Sequence, residues 1–238
     1  MSELVLHRGA REVPRQELVS VEAPESTETW FPVKHSVVLD AVEETLGNAG
    51  FIVEHSWLSL SKGNHRFFGV LHLQTLLAEG VHLSVGVRNS TDKCFPLGFV
   101  AGSRVFTCDN LSFSSEIEVA KRHTVNGERR YREGITHAVS SLEQFQTAEA
   151  TRIAQMRERL LSEDEANSFM LRSFESGMVG ARLLPRLIHA WRNPSHEEFR
   201  PRTAFSLLNA YTDVVKPRFR LQPHRASYEM LRFQALLN

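Results

Sequence analysis

Residues 86–113 read GVRNSTDKCFPLGFVAGSRVFTCDNLSF. Just upstream, Val81, Leu83, Val85 and Val87 alternate with His82, Ser84, Gly86 and Arg88. A period of two predicts a strand with one face buried. Asn89-Ser90-Thr91-Asp92 carries turn chemistry, because Asx and Ser side chains bond their own backbone. Phe95–Val100 and Ser103–Cys108 read as two further strands broken by Gly102, since glycine in a strand pattern marks bends, bulges or close approach. The stretch is the centre of an antiparallel sheet.

The flanks extend this reading. Phe51–Leu60 is β-rich, and His65–Gln74 follows it across Lys62-Gly63-Asn64 as the second arm of a hairpin. Ala78-Glu79-Gly80 turns again. Upstream, Val37, Val38, Ala41, Val42, Thr45 and Leu46 recur at helical spacing, predicting a helix over Val33–Ala49 that Gly47, Asn48 and Gly50 stop. Residues 1–32, punctuated by Pro14, Pro24 and Pro32, read as a polar arm on the surface, with a short strand at Leu4–His7.

Downstream, Leu111–Val125 reads as strand, loop or short helix, and Asn126-Gly127 is a turn. Ile135–Leu161 is helical, as one helix or two. Ser162 and Glu165 form a capping box that opens a helix to about Ser176. Helices follow at Leu183–Trp191, at Arg202–Val215 with Pro217 as its stop, and at Ala226–Leu237. Strands followed by helices predict an α+β fold: an antiparallel sheet of four or more strands, preceded by one helix and followed by a long helix and a helical C-terminal third. The expected organisation is a single domain over 33–216, with its sheet at about 51–125 and its helical part at about 135–216, then a basic tail over 217–238.

The chain has 238 residues, 42% apolar and 24% charged, ordinary proportions for a globular core. Its 28 basic and 28 acidic residues cancel, so net charge offers no argument for nucleic acid or an anionic membrane. The distribution is uneven. Residues 20–29 are acidic, whereas 121–132 and 216–232 are basic. Cys94 and Cys108 are too few for a disulfide framework, no secretory leader is visible, and no apolar run approaches the ~18 residues that span a bilayer. The expected compartment is the cytoplasm, with no membrane partner.

Known chemistries fit poorly. Gly98-Phe99-Val100-Ala101-Gly102-Ser103 lacks the lysine and spacing of a phosphate loop. Cys94 and Cys108 belong to no CxxC pair. His72 and His82 lie on adjacent predicted strands and His123 follows, but ligand spacing along the chain is missing. No metal and no cofactor is therefore expected, and there is no nucleophile elbow. Asp109, Glu116, Glu118 and Lys121 suggest a metal-dependent nuclease, yet a separation of three puts Glu118 and Lys121 on opposite faces of a strand.

Nucleic-acid contact gathers more residues. Arg88, Lys93 and Arg104 flank the central hairpin; Lys121, Arg122, His123, Arg129, Arg130, Tyr131 and Arg132 follow it. Phe67, Phe68, Phe95, Phe99, Phe106 and Phe113 are interleaved. Cations that track phosphates and rings that stack bases are what a single-strand binder needs. The competing reading makes the phenylalanines core and the arginines a solvated face.

Gly86-Val-Arg-Asn-Ser-Thr-Asp, Gly102-Ser-Arg-Val-Phe-Thr-Cys-Asp-Asn-Leu, Lys121-Arg-His-Thr and Thr203-Ala-Phe-Ser-Leu-Leu-Asn-Ala-Tyr-Thr-Asp together resemble the DUF932 family of phage- and plasmid-associated proteins. That family shows an NSHDG-like turn, an RVVCxNTL-like strand and a TAWxLxNAxTE-like helix in this order. The likeness runs from about residue 30 to 216. The chain departs from the pattern in having Thr91 where histidine is usual and Asp109 between Cys108 and Asn110. The resemblance implies a role near DNA replication, recombination or defence. The helix–sheet–helix order is also similar to the core of Rad52-type single-strand annealing proteins, which bind DNA in a basic groove and assemble into rings; this is a likeness of fold alone.

Mapped onto the motifs, the resemblance singles out Arg88, Asn89, Asp92, Arg104, Cys108, Asn110 and His123. The structural alternatives are turn-making for Asn89 and Asp92, an ion pair of Arg104 with Asp92 or Asp109, and backbone capping for Asn110 and Asn209. The expectation is a non-enzymatic single-stranded nucleic-acid-binding protein of recombination or replication-accessory type, able to form homo-oligomers. A metal-dependent nuclease and a structural scaffold are the alternatives.

Overall fold

The computed structural model describes residues 10–105, 110–219 and 223–237, with side chains 104–116, 216–228 and 231 left out of the description. The alternation at Val81–Val87 sets the core. It lies in a strand, Val81–Ser90, whose Val81, Leu83, Val85 and Val87 are all buried. Six strands form one antiparallel sheet in chain order: β1 Arg11–Glu12, β2 Val53–Leu60, β3 Arg66–Ala78, β4 Val81–Ser90, β5 Leu97–Val105 and β6 Asn110–Lys121. One short turn joins β2 to β3 and another joins β3 to β4. Asn64 closes β2–β3 at φ 58° and Gly80 closes β3–β4 at φ 69°; asparagine and glycine are residue types that accept the left-handed region.

The helices are α1 Arg15–Ser20, α2 His35–Asn48, α3 Gly127–Ser140, α4 Leu142–Glu158, α5 Glu163–Glu175, α6 Leu184–Arg192, α7 Ala204–Phe219 and α8 Pro223–Leu237. The fold is α+β. Strand register puts Leu58, Leu60, Phe67, Leu71, Phe99, Ala101 and Val119 on the same face as the β4 valines. His35 of α2, Tyr131 of α3 and Glu149 of α4 reach the sheet from that side, bonding Asn89, the Gly98 carbonyl and Ser103. α7 and α8 complete the layer against α4 and β6, with Tyr211 and Phe233 stacked at 3.9 Å. No helix among the described residues is long and apolar enough to cross a membrane.

Several local expectations change. Gly102 does not break β5. The strand is continuous on its β4 side, where Gly102 pairs with Ser84, and the irregularity falls on the β6 side between Val100 and Gly102. A bulge absorbs the glycine on one ladder only. Residues 110–121 are strand, and the long helical stretch is two helices joined at Ser141. The first begins earlier than the periodicity suggests, at Gly127, where a Cβ would fall 2.5 Å from the Arg122 carbonyl oxygen. Pro217 does not stop α7, which runs on to Phe219, although the proline has no N–H to donate within the last turn. The capping box at Ser162 and Glu165 forms as read.

The described part of the arm contributes to the core. Val13 donates its N–H to the Leu58 carbonyl at 2.9 Å, Leu18 is fully buried, and Arg15 pairs with Asp40 and Glu43 of α2. The strand expected at Leu4–His7 lies outside the described residues. At the other end, Met230, Phe233 and Leu237 of α8 are buried, so this part of α8 packs into the helical layer.

One polar contact ties α2 to the sheet. The Asn89 side-chain amide donates to the Val33 carbonyl at 2.6 Å and to His35 Nδ1 at 2.9 Å. His35 Nε2 faces the Asn64 carbonyl at 2.9 Å. With Nδ1 accepting, the proton sits on Nε2 and the ring is neutral. Burial holds the His35 pKa below its ordinary value, against the opposing pull of the Asn64 carbonyl; burial likewise lowers His123.

Asn89→Ala is expected to destabilise the protein by roughly 2–4 kcal/mol, because it removes two hydrogen bonds and strands buried partners; the urea midpoint reads this. The unfolded chain takes up protons on these two histidines at higher pH than the folded one. Stability present above about pH 6.5 is therefore lost as pH falls from there. A urea midpoint that drops between pH 7.5 and 5.5 is the expected outcome, and an unchanged one contradicts a buried neutral His35.

Candidate functional site

The residues expected to contact nucleic acid separate into groups. Arg88 points away from the helices, on the opposite face of β4, but is not a surface cation. Its side chain is 11% exposed, its guanidinium lies 5.6 Å from the centre of the Phe95 ring, and its Nη2 is 3.9 Å from Glu118. The stem lies on Gly98, where a Cβ would fall 2.4 Å from Arg88 Nε. Burial pulls the guanidinium down to about 10, with Glu118 and Tyr131 acting the other way, so it is still charged at neutral pH. Asn89 belongs to the α2 lock. Asp92 accepts from Arg66 Nε at 2.6 Å and from the Cys94 N–H at 3.2 Å. Burial alone would raise its carboxyl; the bonds from Arg66 and Cys94 outweigh this and hold it below the ordinary range. Its ion-pair partner is thus Arg66, where Arg104 was one expectation. The side chains of Arg104 and Asn110, and all of Cys108 and Asp109, lie outside the described residues.

Beyond the sheet, Arg129 pairs with Glu133 at 2.6 Å, and Arg132 with Glu128 at 3.2 Å and Glu44 at 3.4 Å. His123 is buried, its backbone carbonyl accepting from the Phe31 N–H at 3.0 Å. Lys93 Nζ stands 5.0 Å from the centre of the Trp30 ring, itself 6.4 Å from His123. Lys93, Arg122 and Arg130 are exposed and Lys121 half-buried. Of the interleaved phenylalanines, Phe67, Phe68 and Phe99 are buried and Phe95 lies under Arg88. Of the nuclease set, Glu118 pairs with Val100 and Lys121 with Leu97, so these two face opposite ways; Asp109 and the side chain of Glu116 lie outside the described residues.

A second cluster lies on the face turned away from the helices. His72 pairs with Ser84 across β3–β4, and His82 is two residues from Ser84. The two histidines are diagonal neighbours on one face, close enough for rings to meet. Their centroids are 4.6 Å apart. On the other side of β3, the ladder to β2 is irregular between Val53 and His55, and such a bulge re-aims a side chain. Glu54 Oε2 comes within 3.6 Å of His72 Nε2. One ligand atom from each of Glu54, His72 and His82 lies within 4.8 Å of the others.

The surroundings of the cluster are asymmetric. Ser84 Oγ sits 3.5 Å from His72 Nδ1, while His82 Nδ1 is buried without a hydrogen-bond partner. Such an atom costs about 1–3 kcal/mol unless something fills it. His72 is 3% exposed and Glu54 56%, so the cluster opens to solvent through its carboxylate. Trp57 lines one side, its ring 6.2 Å from His72 and 4.3 Å from His55 for the respective pairs. Spacing along the chain excluded these histidines as ligands, because it cannot see cross-strand register. Alternation could have found them, since both occupy the same parity on facing strands.

No family model, curated protein or solved structure matches the chain. The likenesses to the DUF932 family and to Rad52-type proteins rest on the quoted motifs and the element order.

Gly98→Ala is expected to destabilise the protein by about 1–3 kcal/mol by displacing Arg88. In the background of Arg88→Ala the same change should be nearly neutral, so the two substitutions combine less than additively. Denaturant unfolding of the single and double variants measures this.

Proposed function

We propose that the chain is a non-enzymatic protein that binds single-stranded nucleic acid, of the recombination or replication-accessory kind that its motif resemblance implies. The contact surface is the end of the sheet where the segment around Trp30, the loop between β4 and β5, and the turn between β6 and α3 meet. The observation that carries this reading is Lys93 held over the Trp30 ring, which also neighbours His123, the residue after the exposed Arg122. Lys121 and Arg130 extend the cationic edge along α3: the Lys121 stem lies 3.4 Å from where a Gly134 Cβ would stand, and Arg130 is one helical turn before Gly134. A cation beside an aromatic face is the pairing that takes phosphate and base together.

Arg129 and Arg132 are neutralised by nearby carboxylates, and Arg88 is buried against its own sheet. The effective footprint is therefore smaller than the count of basic residues suggests, which agrees with a neutral chain. A nuclease has no comparable support, because its carboxylate and lysine face apart.

The test is titration of a fluorescent oligo(dT) across a salt series. Contacts by Lys93, Lys121, Arg122 and Arg130 predict a slope of log affinity against log salt of roughly −3, whereas all nine basic and histidine positions would give roughly −6. Lys93→Ala and Arg122→Ala should each flatten the slope by about 0.7, and Arg129→Ala should leave it unchanged. No binding at the lowest salt would contradict the proposal and favour a scaffold role.

A further inference from the structure

We propose that Glu54, His72 and His82 form a binding site for a single divalent transition-metal ion of the zinc type, separate from the nucleic-acid surface. Two imidazoles and one carboxylate are the donors that borderline cations such as Zn²⁺, Co²⁺ and Ni²⁺ take, whereas Mg²⁺ and Ca²⁺ require oxygen ligands throughout. Two donors on a tetrahedral zinc stand about 3.4 Å apart, from zinc–ligand bonds of about 2.0–2.1 Å. Glu54 Oε2 and His72 Nε2, at 3.6 Å, already meet that spacing. The remaining separations are within 4.8 Å and close by rotation of the exposed Glu54 side chain and the half-buried His82 ring.

Three further features fit an ion. Ser84 Oγ lies beside His72 Nδ1, so His72 can turn Nε2 toward the carboxylate while Nδ1–H donates to the serine, the outer contact that orients a ligating imidazole. His82 Nδ1 is buried without a hydrogen-bond partner. The ligands come from β2, β3 and β4, elements fixed by the ladder rather than by loops. Three protein ligands leave a fourth position for water or for an oxygen donor arriving from solvent, the arrangement of an accessible site rather than a closed structural one.

The experiment uses the full chain after removal of metals by a chelator. Calorimetric titration with ZnCl₂ is expected to give saturable binding of one ion per chain. Ser84→Ala should weaken it about 10-fold, and Glu54→Gln combined with His82→Gln should abolish it. Trp57 supplies a readout independent of stability: Co²⁺ should quench its fluorescence, and Trp57→Phe should remove the quenching without changing the stoichiometry. Absence of saturable binding overturns the proposal. So does binding unchanged in the Glu54→Gln, His82→Gln variant, or quenching that persists in Trp57→Phe, since either places the ion elsewhere on the chain.

Discussion

The Asn89 amide, lodged between the Val33 carbonyl and His35 Nδ1, is the contact on which this end of the molecule depends. It joins the start of α2 to the centre of the sheet, and through His35 Nε2 it also holds the β2–β3 turn at Asn64. Asn89, His35 and Val33 are buried and Asn64 half-buried, so loss of the Asn89 bonds is not repaired by solvent. The lock requires His35 to be neutral. A protonated ring would present a second donor to an amide that is already donating. The edge that carries Trp30 and Lys93 is the continuation of this junction, because residues 30–33 enter α2 directly from it.

A one-sided helical layer gives the sheet two different jobs. The face beneath α2, α3 and α4 is an apolar core with few polar insertions, such as Ser103 to Glu149 at 3.3 Å. The other face carries polar groups at low exposure: His72, Ser84 and Arg88. Arg88 is explained by its packing on Gly98 and Phe95. The histidine pair is not explained by packing, since imidazoles bury less apolar surface than the valines or leucines the same positions would hold. A ligand that uses their nitrogens accounts for their presence.

Elements specified by neighbours in the chain were legible in the sequence. The hairpin at Phe51–Gln74 follows from alternation and a turn, the helix after Ser162 from its capping box. What depended on distant partners was not. Leu18 is one apolar residue in a polar segment, and nothing local says that α2 and β2 bury it. Gly102 looked like a break because the sequence does not show that only one of its two ladders bulges. The basic positions were visible as charges, but Arg132 pairs with Glu44 across the fold, a partner no spacing rule reaches. His72 and His82 shared a parity that could be read, whereas Glu54 joins them only through the irregularity next to Val53.

Everything around Asn89 turns on which nitrogen of His35 carries the proton. Long-range nitrogen–proton correlation spectra of the imidazole rings measure this directly. The structure predicts one histidine at pH 7 in the neutral form protonated at Nε2, its ring proton exchanging slowly with solvent, and absent from the Asn89→Ala variant. A His35 protonated at Nδ1, or one already doubly protonated at pH 7, would contradict the lock and with it the way α2 is seated on the sheet.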